Sequence, residues 1–257
     1  MESKKSISYY KAQAKDQLLG NYGVAIGSFV LIFACYYAIN GILTGAYTNS
    51  LVRGQTADPL VGMALYSDTK LTIASLIISL VARIFYDILF VGFYYILVQI
   101  VKGNRPKASD VFYAFSNHPD KVIIISLIIE LIKVITMVPA IAVGLYIPAD
   151  ESSVGPFFLA FIIAFVLGCA LQIAITVSFT FSFLVYLDEP EYSALECLKR
   201  SADIIKGYKL KYIYMILSLV GFYLLGILSV GIGLLYVISY QSMIVVSMYM
   251  DLKAKER

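Results

Sequence analysis

Between Tyr212 and Met250 the chain runs for 39 residues without a charged side chain. As helix that run rises about 58 Å, close to two crossings of a roughly 30 Å hydrocarbon core. Gly231-Ile232-Gly233 stands near its middle, and glycine permits the backbone angles that a tight turn needs. The run therefore predicts a transmembrane hairpin. Composition extends the reading to the whole chain of 257 residues, which is 60% hydrophobic and 14% charged with a mean hydropathy of +0.82. A soluble domain is nearer a quarter charged and under half apolar. The expected class is all-α, a polytopic transmembrane helical bundle.

Four further apolar stretches lie between charge clusters: Tyr22 to Tyr47, Leu71 to Val101, Val122 to Ile147, and Pro156 to Leu187. With the hairpin they make six spans. The first twenty residues are charged and amphipathic and the apolar run after them is longer than a signal core, which argues against a cleavable signal peptide. Basic residues set orientation. Lys4, Lys5, Lys11 and Lys15 precede the first span, and Lys102, Arg105, Lys107 and Lys121 follow the second. Lys199, Arg200, Lys206, Lys209 and Lys211 follow the fourth, and Lys253, Lys255 and Arg257 follow the sixth. That is sixteen basic residues on one side against Arg53 and Lys70 on the other, where the acids Asp58, Asp68, Asp150 and Glu151 also fall. Both termini are expected to be cytoplasmic, in a multi-pass protein of the cell membrane. Five spans would break the alternation.

Each odd-numbered span follows a segment with an apolar stripe. Ile7, Tyr10, Ala14 and Leu18 precede the first, Val111, Phe112 and Phe115 the third, and Leu195, Leu198, Ala202 and Ile205 the fifth. Such stripes suit helices lying in the interface plane. Ser6 to Gly20 and Ser193 to Gly207 share one spacing, with Asp16 and Asp203 each four residues before the glycine. Ser193 with Glu196 reads as a capping box and Gly207 as a helix stop. One integral membrane domain over 1–257 is expected, built from hairpin units at 1–102, 103–187 and 188–257. The rival reading is that any basic loop between hairpins tends to be amphipathic.

Charges inside a bilayer are costly and mark functional candidates by default. Four occur: Arg83 and Asp87 at i,i+4 in the second span, Glu130 and Lys133 at i,i+3 in the third. Each pair shares a helix face. Asp87 lies about 21 Å from Val101 and Lys133 about 18 Å from Lys121, so the two match in depth and suit an interhelical pair. The quartet reads either as a polar cavity for a substrate or proton, or as a neutral cluster that locks two helices. Lys199, Arg200 and Lys206, on the helix before the fifth span, are candidates for contact with lipid headgroups or a partner protein. Gly23 to Gly27 and Gly41 to Gly45 match the spacing for close helix contact, Pro139 interrupts the third span, and His118 reads as a loop residue.

No phosphate-binding glycine loop, metal-binding His pair or Ser/His pairing occurs. With one His and three scattered Cys, no metal, cofactor or disulfide framework is expected. The net charge of +3 is too small to suggest nucleic acid.

The stretch from Tyr186 to Leu252 resembles the bacterial nine-seven-five domain-of-unknown-function family. It carries the acidic-Pro step Asp188, Glu189, Pro190, then Ser193, Ala194, Glu196 and Leu198, then Lys206-Gly207, and a hairpin punctuated by Gly221, Gly226, Gly231 and Gly233. "AKDQLLGNYGVAI" from Ala14 resembles the family's opening and "MVPAI" from Met137 its mid-chain step. Phe222 stands where Trp is usual, Ser239 where Pro is usual, and Ala140 replaces a glycine. The pattern is also similar to the membrane domain attached to some glycerophosphodiester phosphodiesterases, but no phosphodiesterase domain accompanies it. The resemblance implies an inner-membrane protein of unassigned role and brings no catalytic residues.

These readings together predict a non-enzymatic membrane protein that organises lipid or partner proteins at the cytoplasmic face, alone or as a homo-oligomer. The alternative is a small-molecule or lipid transporter with a midplane polar cavity.

Overall fold

The computed structural model describes residues 5–52, 69–144, 151–229 and 231–256, with side chains left aside at 46–52, 69–76, 151–153 and 256. Lys4, Arg53, Asp58, Asp68, Asp150, Arg257 and the end of the expected third span at 145–147 lie outside the described residues, as do the side chains of Lys70 and Glu151. Among those described the chain is helical, with no strand. Six segments are long and apolar enough to cross a membrane: Tyr22–Gly45, Ile77–Val101, Pro119–Gly144, Val154–Asp188, Lys209–Leu228 and Ile232–Lys255. These match the six expected spans. The chain forms two compact units, Gln17–Pro119 and a discontinuous one of Met1–Asp16 with Asp120–Arg257.

In the unit Gln17–Pro119, helices α2 (Tyr22–Val52) and α3 (Thr69–Val101) pack as a hairpin. Phe29 meets Phe93 edge-on at 5.9 Å and Tyr36 meets Tyr86 at 5.5 Å, between ring centroids. The helix α3 stops at Gly103, whose φ is +79°, and Asn104 N–H closes back on Gln99 O at 3.0 Å. A 3-10 turn at Ala108–Phe112 and a one-turn helix at Tyr113–Ser116 then fold back on α3. Gly92 makes this approach feasible: a Cβ there would stand 1.8 Å from Val111 O. Tyr95 and Tyr113 stack beside it at 3.8 Å. By contrast, no described atom lies within 4 Å of a Cβ built at Gly23, Gly27, Gly41 or Gly45. The small-residue spacing in α2 therefore makes no close contact among the described residues; packing at backbone distance occurs at Gly92 instead. Of the stripe expected here, Val111 is buried while Phe112 and Phe115 are exposed. His118 closes the segment with φ +50°, a left-handed turn residue.

The other unit holds helix α1 (Ile7–Leu18) up to Asp16, with α4 (Pro119–Gly144), α5 (Glu151–Thr176), α6 (Ser182–Asp188), α7 (Ala194–Ile204), α8 (Lys209–Leu217), α9 (Val220–Leu228) and α10 (Ile232–Glu256). The helix α4 continues through Pro139. Gly168 of α5 passes Thr136 of α4 so closely that a Cβ would lie 2.9 Å from Thr136 O. The hairpin turn falls at Gly231, φ +83°, as its glycines predict.

Within the fourth expected span the helix is not continuous: α5 ends at Thr176 and a 3-10 turn at Val177–Phe179 precedes α6. The 26 residues of α5 already rise about 39 Å, enough for one crossing. The fifth span is likewise two helices, α8 and α9, stepped at Ser218-Leu219. The stripe on α7 also differs. Its buried face is Ala194, Cys197, Leu198, Ser201 and Ile204, with Ile205 beyond, whereas Leu195 is 66% exposed.

The helices α1 and α7 are built alike. Ser6 Oγ accepts from Tyr9 N–H at 3.3 Å, and Ser193 Oγ accepts from Glu196 N–H at 3.4 Å. Counting four, eight and twelve residues on from each serine gives Tyr10, Ala14 and Leu18 in one helix and Cys197, Ser201 and Ile205 in the other, all with no exposed surface. Each segment then stops at a left-handed glycine, Gly20 or Gly207, with φ +81° and +82°.

Candidate functional site

The intramembrane charges pair within their own helices. Arg83 Nε lies 3.5 Å from Asp87 Oδ1, and Lys133 Nζ lies 2.6 Å from Glu130 Oε1. Local spacing is enough to produce both contacts. The Asp87 side chain is 9% exposed and that of Arg83 46%, so the acid is the member most dependent on its partner. Near Arg83 a polar line runs along α2. Thr44 Oγ1 donates to Asn40 Oδ1 at 3.0 Å, Asn40 Nδ2 reaches the Tyr36 hydroxyl at 3.4 Å, and the Arg83 guanidinium lies 5.3 Å from the Tyr86 ring centroid. The two charged pairs stand in separate units.

Of the basic residues singled out here, Lys199 and Arg200 lie on α7, exposed and half-buried, and Lys206 is exposed in the turn after it. The frame that holds them is firm. Glu196 Oε2 accepts from Ser193 N–H at 2.7 Å, completing the capping box. That pair of contacts at Ser193 holds the Glu196 carboxyl below its usual range. On the opposite face, the buried Ser201 hydroxyl accepts from Phe181 N–H at 3.0 Å and donates to Ser178 O at 2.9 Å. These are backbone groups released where α5 breaks, so α7 docks on the break through one side chain. Lys209 Nζ donates to Ser178 Oγ at 2.7 Å from the other side. Burial pushes the neighbouring Cys197 thiol up to about 11, which keeps it protonated and unreactive.

Two polar clusters join residues far apart in the chain, and sequence reasoning missed both. In the first, Lys253 on α10 donates to Asp188 and, at 2.7 Å, to Glu189. Tyr249 OH reaches Asp188 Oδ2 at 3.3 Å. The Lys253 ammonium and then the Tyr192 hydroxyl hold the Glu189 carboxyl below its usual range. Asp188, Met250, Lys253 and Ala254 line a cavity of about 310 Å³. In the second, Asp251 gathers Lys5 Nζ at 2.5 Å, Tyr10 OH at 2.7 Å and Lys255 Nζ at 3.3 Å. Burial and then the Asp251 carboxylate raise the Tyr10 hydroxyl, and Asp251 raises Lys5. The acidic-Pro step and a lone acid just past the uncharged hairpin were the visible signals. Their partners were not, because more than sixty residues separate Asp188 from Lys253 and more than two hundred separate Lys5 from Asp251.

Among the described residues no group of three His, Cys, Asp or Glu side chains is placed to hold a metal ion. What the arrangement provides is a pair of ammonium groups, Lys5 and Lys253, held against carboxylates beside the last helix.

The family model described as Protein of unknown function (DUF975) matches residues 1–256, and the chain belongs to that family. No curated protein and no solved structure matches it.

Proposed function

We propose that this member of the DUF975 family is a non-enzymatic protein of the cell membrane, with both termini cytoplasmic, that organises anionic lipid at the cytoplasmic face. The observation that carries this reading is the two-sided character of α7. One face is buried and pinned to the α5 break by Ser201; the other presents Lys199 and the half-buried Arg200, with Lys206 exposed in the turn just beyond the helix. Each basic residue near an anionic surface contributes on the order of 1 kcal/mol. Three of them give up to roughly 3 kcal/mol, or about a hundredfold enrichment of anionic over neutral lipid.

The test is lipid retention. The protein is extracted into detergent from mixed phosphatidylglycerol and phosphatidylcholine membranes, and the co-purifying lipid is quantified. Wild type is expected to retain phosphatidylglycerol preferentially, and the Lys199→Gln/Arg200→Gln/Lys206→Gln variant to lose most of that preference. Unchanged retention with loss of a cross-linked neighbour, another protein or a second copy, replaces the lipid reading by a partner-docking one.

Transport is the second reading, supported by the polar line Thr44, Asn40, Tyr36 beside Arg83 and Asp87. The local closure of both charged pairs weighs for the structural role. A solute that stabilises the purified protein thermally, and loses that effect on Arg83→Gln, would favour transport.

A further inference from the structure

No proline, glycine or left-handed residue lies between Thr176 and Ser182, so nothing in the local chain obliges the fourth span to break there. The departure from helix is small. Thr176 and Thr180 keep right-handed helical angles, φ −67° with ψ −28° and φ −57° with ψ −34°. Phe181, at φ −94° and ψ 2°, differs chiefly in ψ, for which an α-helix has about −42°. The break is held from outside.

In an unbroken helix each N–H donates to the carbonyl four residues back. Phe181 N–H would serve Val177 O, and Ser178 O would receive Ser182 N–H. In the broken form Val177 O receives Thr180 N–H at 3.3 Å instead. Ser201 of α7 then takes the two groups left over, Phe181 N–H at 3.0 Å and Ser178 O at 2.9 Å. One hydroxyl on another helix thus stands in for helical bonds. Docking of α7 and continuity of the span compete for the same backbone groups.

A second observation points the same way. Ser182 has no exposed surface, and its Oγ is one of three buried side-chain atoms without a hydrogen-bond partner among the described residues. A helical serine or threonine hydroxyl commonly donates to the carbonyl four residues back. Ser28 does so to Val24 O at 2.6 Å, Ser239 to Leu235 O at 2.9 Å and Thr176 to Gln172 O at 2.7 Å. The carbonyl four residues before Ser182 is Ser178 O, which Ser201 occupies. The broken form has its own advantage in packing, since the Phe181 ring meets Tyr249 and Tyr212 at 5.6 and 6.4 Å between centroids.

We propose that Thr176–Ser182 is a two-state hinge, broken while Ser201 docks α7 on it and continuous when α7 lifts away. On straightening, the 35 residues of Val154–Asp188 become one helix of about 52 Å, so the position of α7 sets the length of the fourth span. The hinge stands whatever α7 contacts at the membrane surface.

The dipeptide Thr-Phe occurs once in the chain, at Thr180-Phe181. Protein isotope-labelled at threonine carbonyls and phenylalanine nitrogens therefore gives a single carbonyl-to-amide NMR correlation, that of the Phe181 amide. In the full chain in phosphatidylcholine nanodiscs, relaxation dispersion is expected to show this signal exchanging with a minor state of roughly 1–10%. In Ser201→Ala the minor state becomes the major one, with a helical Thr180 carbonyl shift. Its amide hydrogen exchange is no faster than in wild type, because Val177 O replaces the lost hydroxyl. Ser182→Ala relieves the orphaned hydroxyl of the broken form and removes the back-bond of the straight one, so the minor population should fall severalfold. Wild type and Ser182→Ala test the hinge even if Ser201→Ala yields no folded protein. A wild-type signal without exchange, a Ser201→Ala amide with a non-helical shift and faster hydrogen exchange, or a minor population that does not fall in Ser182→Ala would each overturn the proposal.

Discussion

Replacing Ser201 by alanine removes one oxygen and orphans two backbone groups. The hydroxyl is fully buried and serves Phe181 N–H at 3.0 Å and Ser178 O at 2.9 Å, where α5 has already given up its helical ladder. Neither group gains water, because both Ser178 and Phe181 are themselves buried. Two lost hydrogen bonds amount to about 1–3 kcal/mol net, and each orphaned buried group adds about 1–3 kcal/mol of uncompensated desolvation. Partial relaxation of the 3-10 turn offsets part of the sum, so a destabilisation of about 2–4 kcal/mol is expected. Ser178→Ala is the internal control. It removes only the side-chain link to Lys209 and leaves the carbonyl that Ser201 uses, so it should cost under about 1 kcal/mol. The assay is unfolding in mixed micelles of mild detergent and SDS, followed by circular dichroism. A Ser201→Ala loss below about 0.5 kcal/mol, the range of ordinary surface substitutions, or one no larger than that of Ser178→Ala, would refute the pinning argument.

Gly92→Ala drives a Cβ to 1.8 Å from Val111 O. It should destabilise the unit Gln17–Pro119 by more than about 3 kcal/mol, seen as loss of monodisperse protein on size exclusion; near-normal yield would contradict the close approach. Asp87→Asn should reduce folded yield in membranes more than Glu130→Gln, since the Asp87 side chain is 9% exposed against 22% for Glu130, and breaking a buried pair costs about 3–5 kcal/mol; the reverse order would sink this ranking. The folded-state pKa of Glu189 is lowered by Lys253 and Tyr192, so its contribution is present above the ordinary carboxylate pKa and disappears as pH falls through the lowered one. The Tm difference between wild type and Glu189→Gln should therefore narrow between about pH 6 and about pH 3, and a difference constant across that range would show that the contact carries no charge.

The spans were readable because a bilayer imposes length and apolarity within one contiguous stretch, and each helix satisfies its own backbone. The Ser193–Glu196 box, the Gly207 stop and the two intramembrane ion pairs were readable for a related reason: each lies within one helical segment. Other features required partners that sequence distance conceals. Nothing between Thr176 and Ser182 is a proline or glycine, so the break in the fourth span carried no local signal; its stabiliser is Ser201, on another helix. The same serine explains why the face that α7 buries in the protein differs from its hydropathy stripe. A stripe drawn by hydropathy takes Leu195 and passes over Cys197 and Ser201, yet a small polar side chain with two backbone partners is what the buried face requires. Asp251 and Lys5 resembled ordinary solvated charges until the fold set them on each other.

The Asp251 cluster also has a consequence for biosynthesis. Tyr10 and the carboxylate that receives its hydroxyl are 241 positions apart. At a translation rate of roughly 5–20 residues per second, between roughly 12 and 50 s pass after α1 is synthesised before its anchor exists. The contiguous unit Gln17–Pro119 has all its parts long before then. During that interval the opening helix carries an aromatic ring and several ammoniums with no assigned resting place in the protein. The membrane surface beside the translocation machinery is the nearest compatible surroundings, so the nascent segment would wait there and be collected only when the final helix arrives.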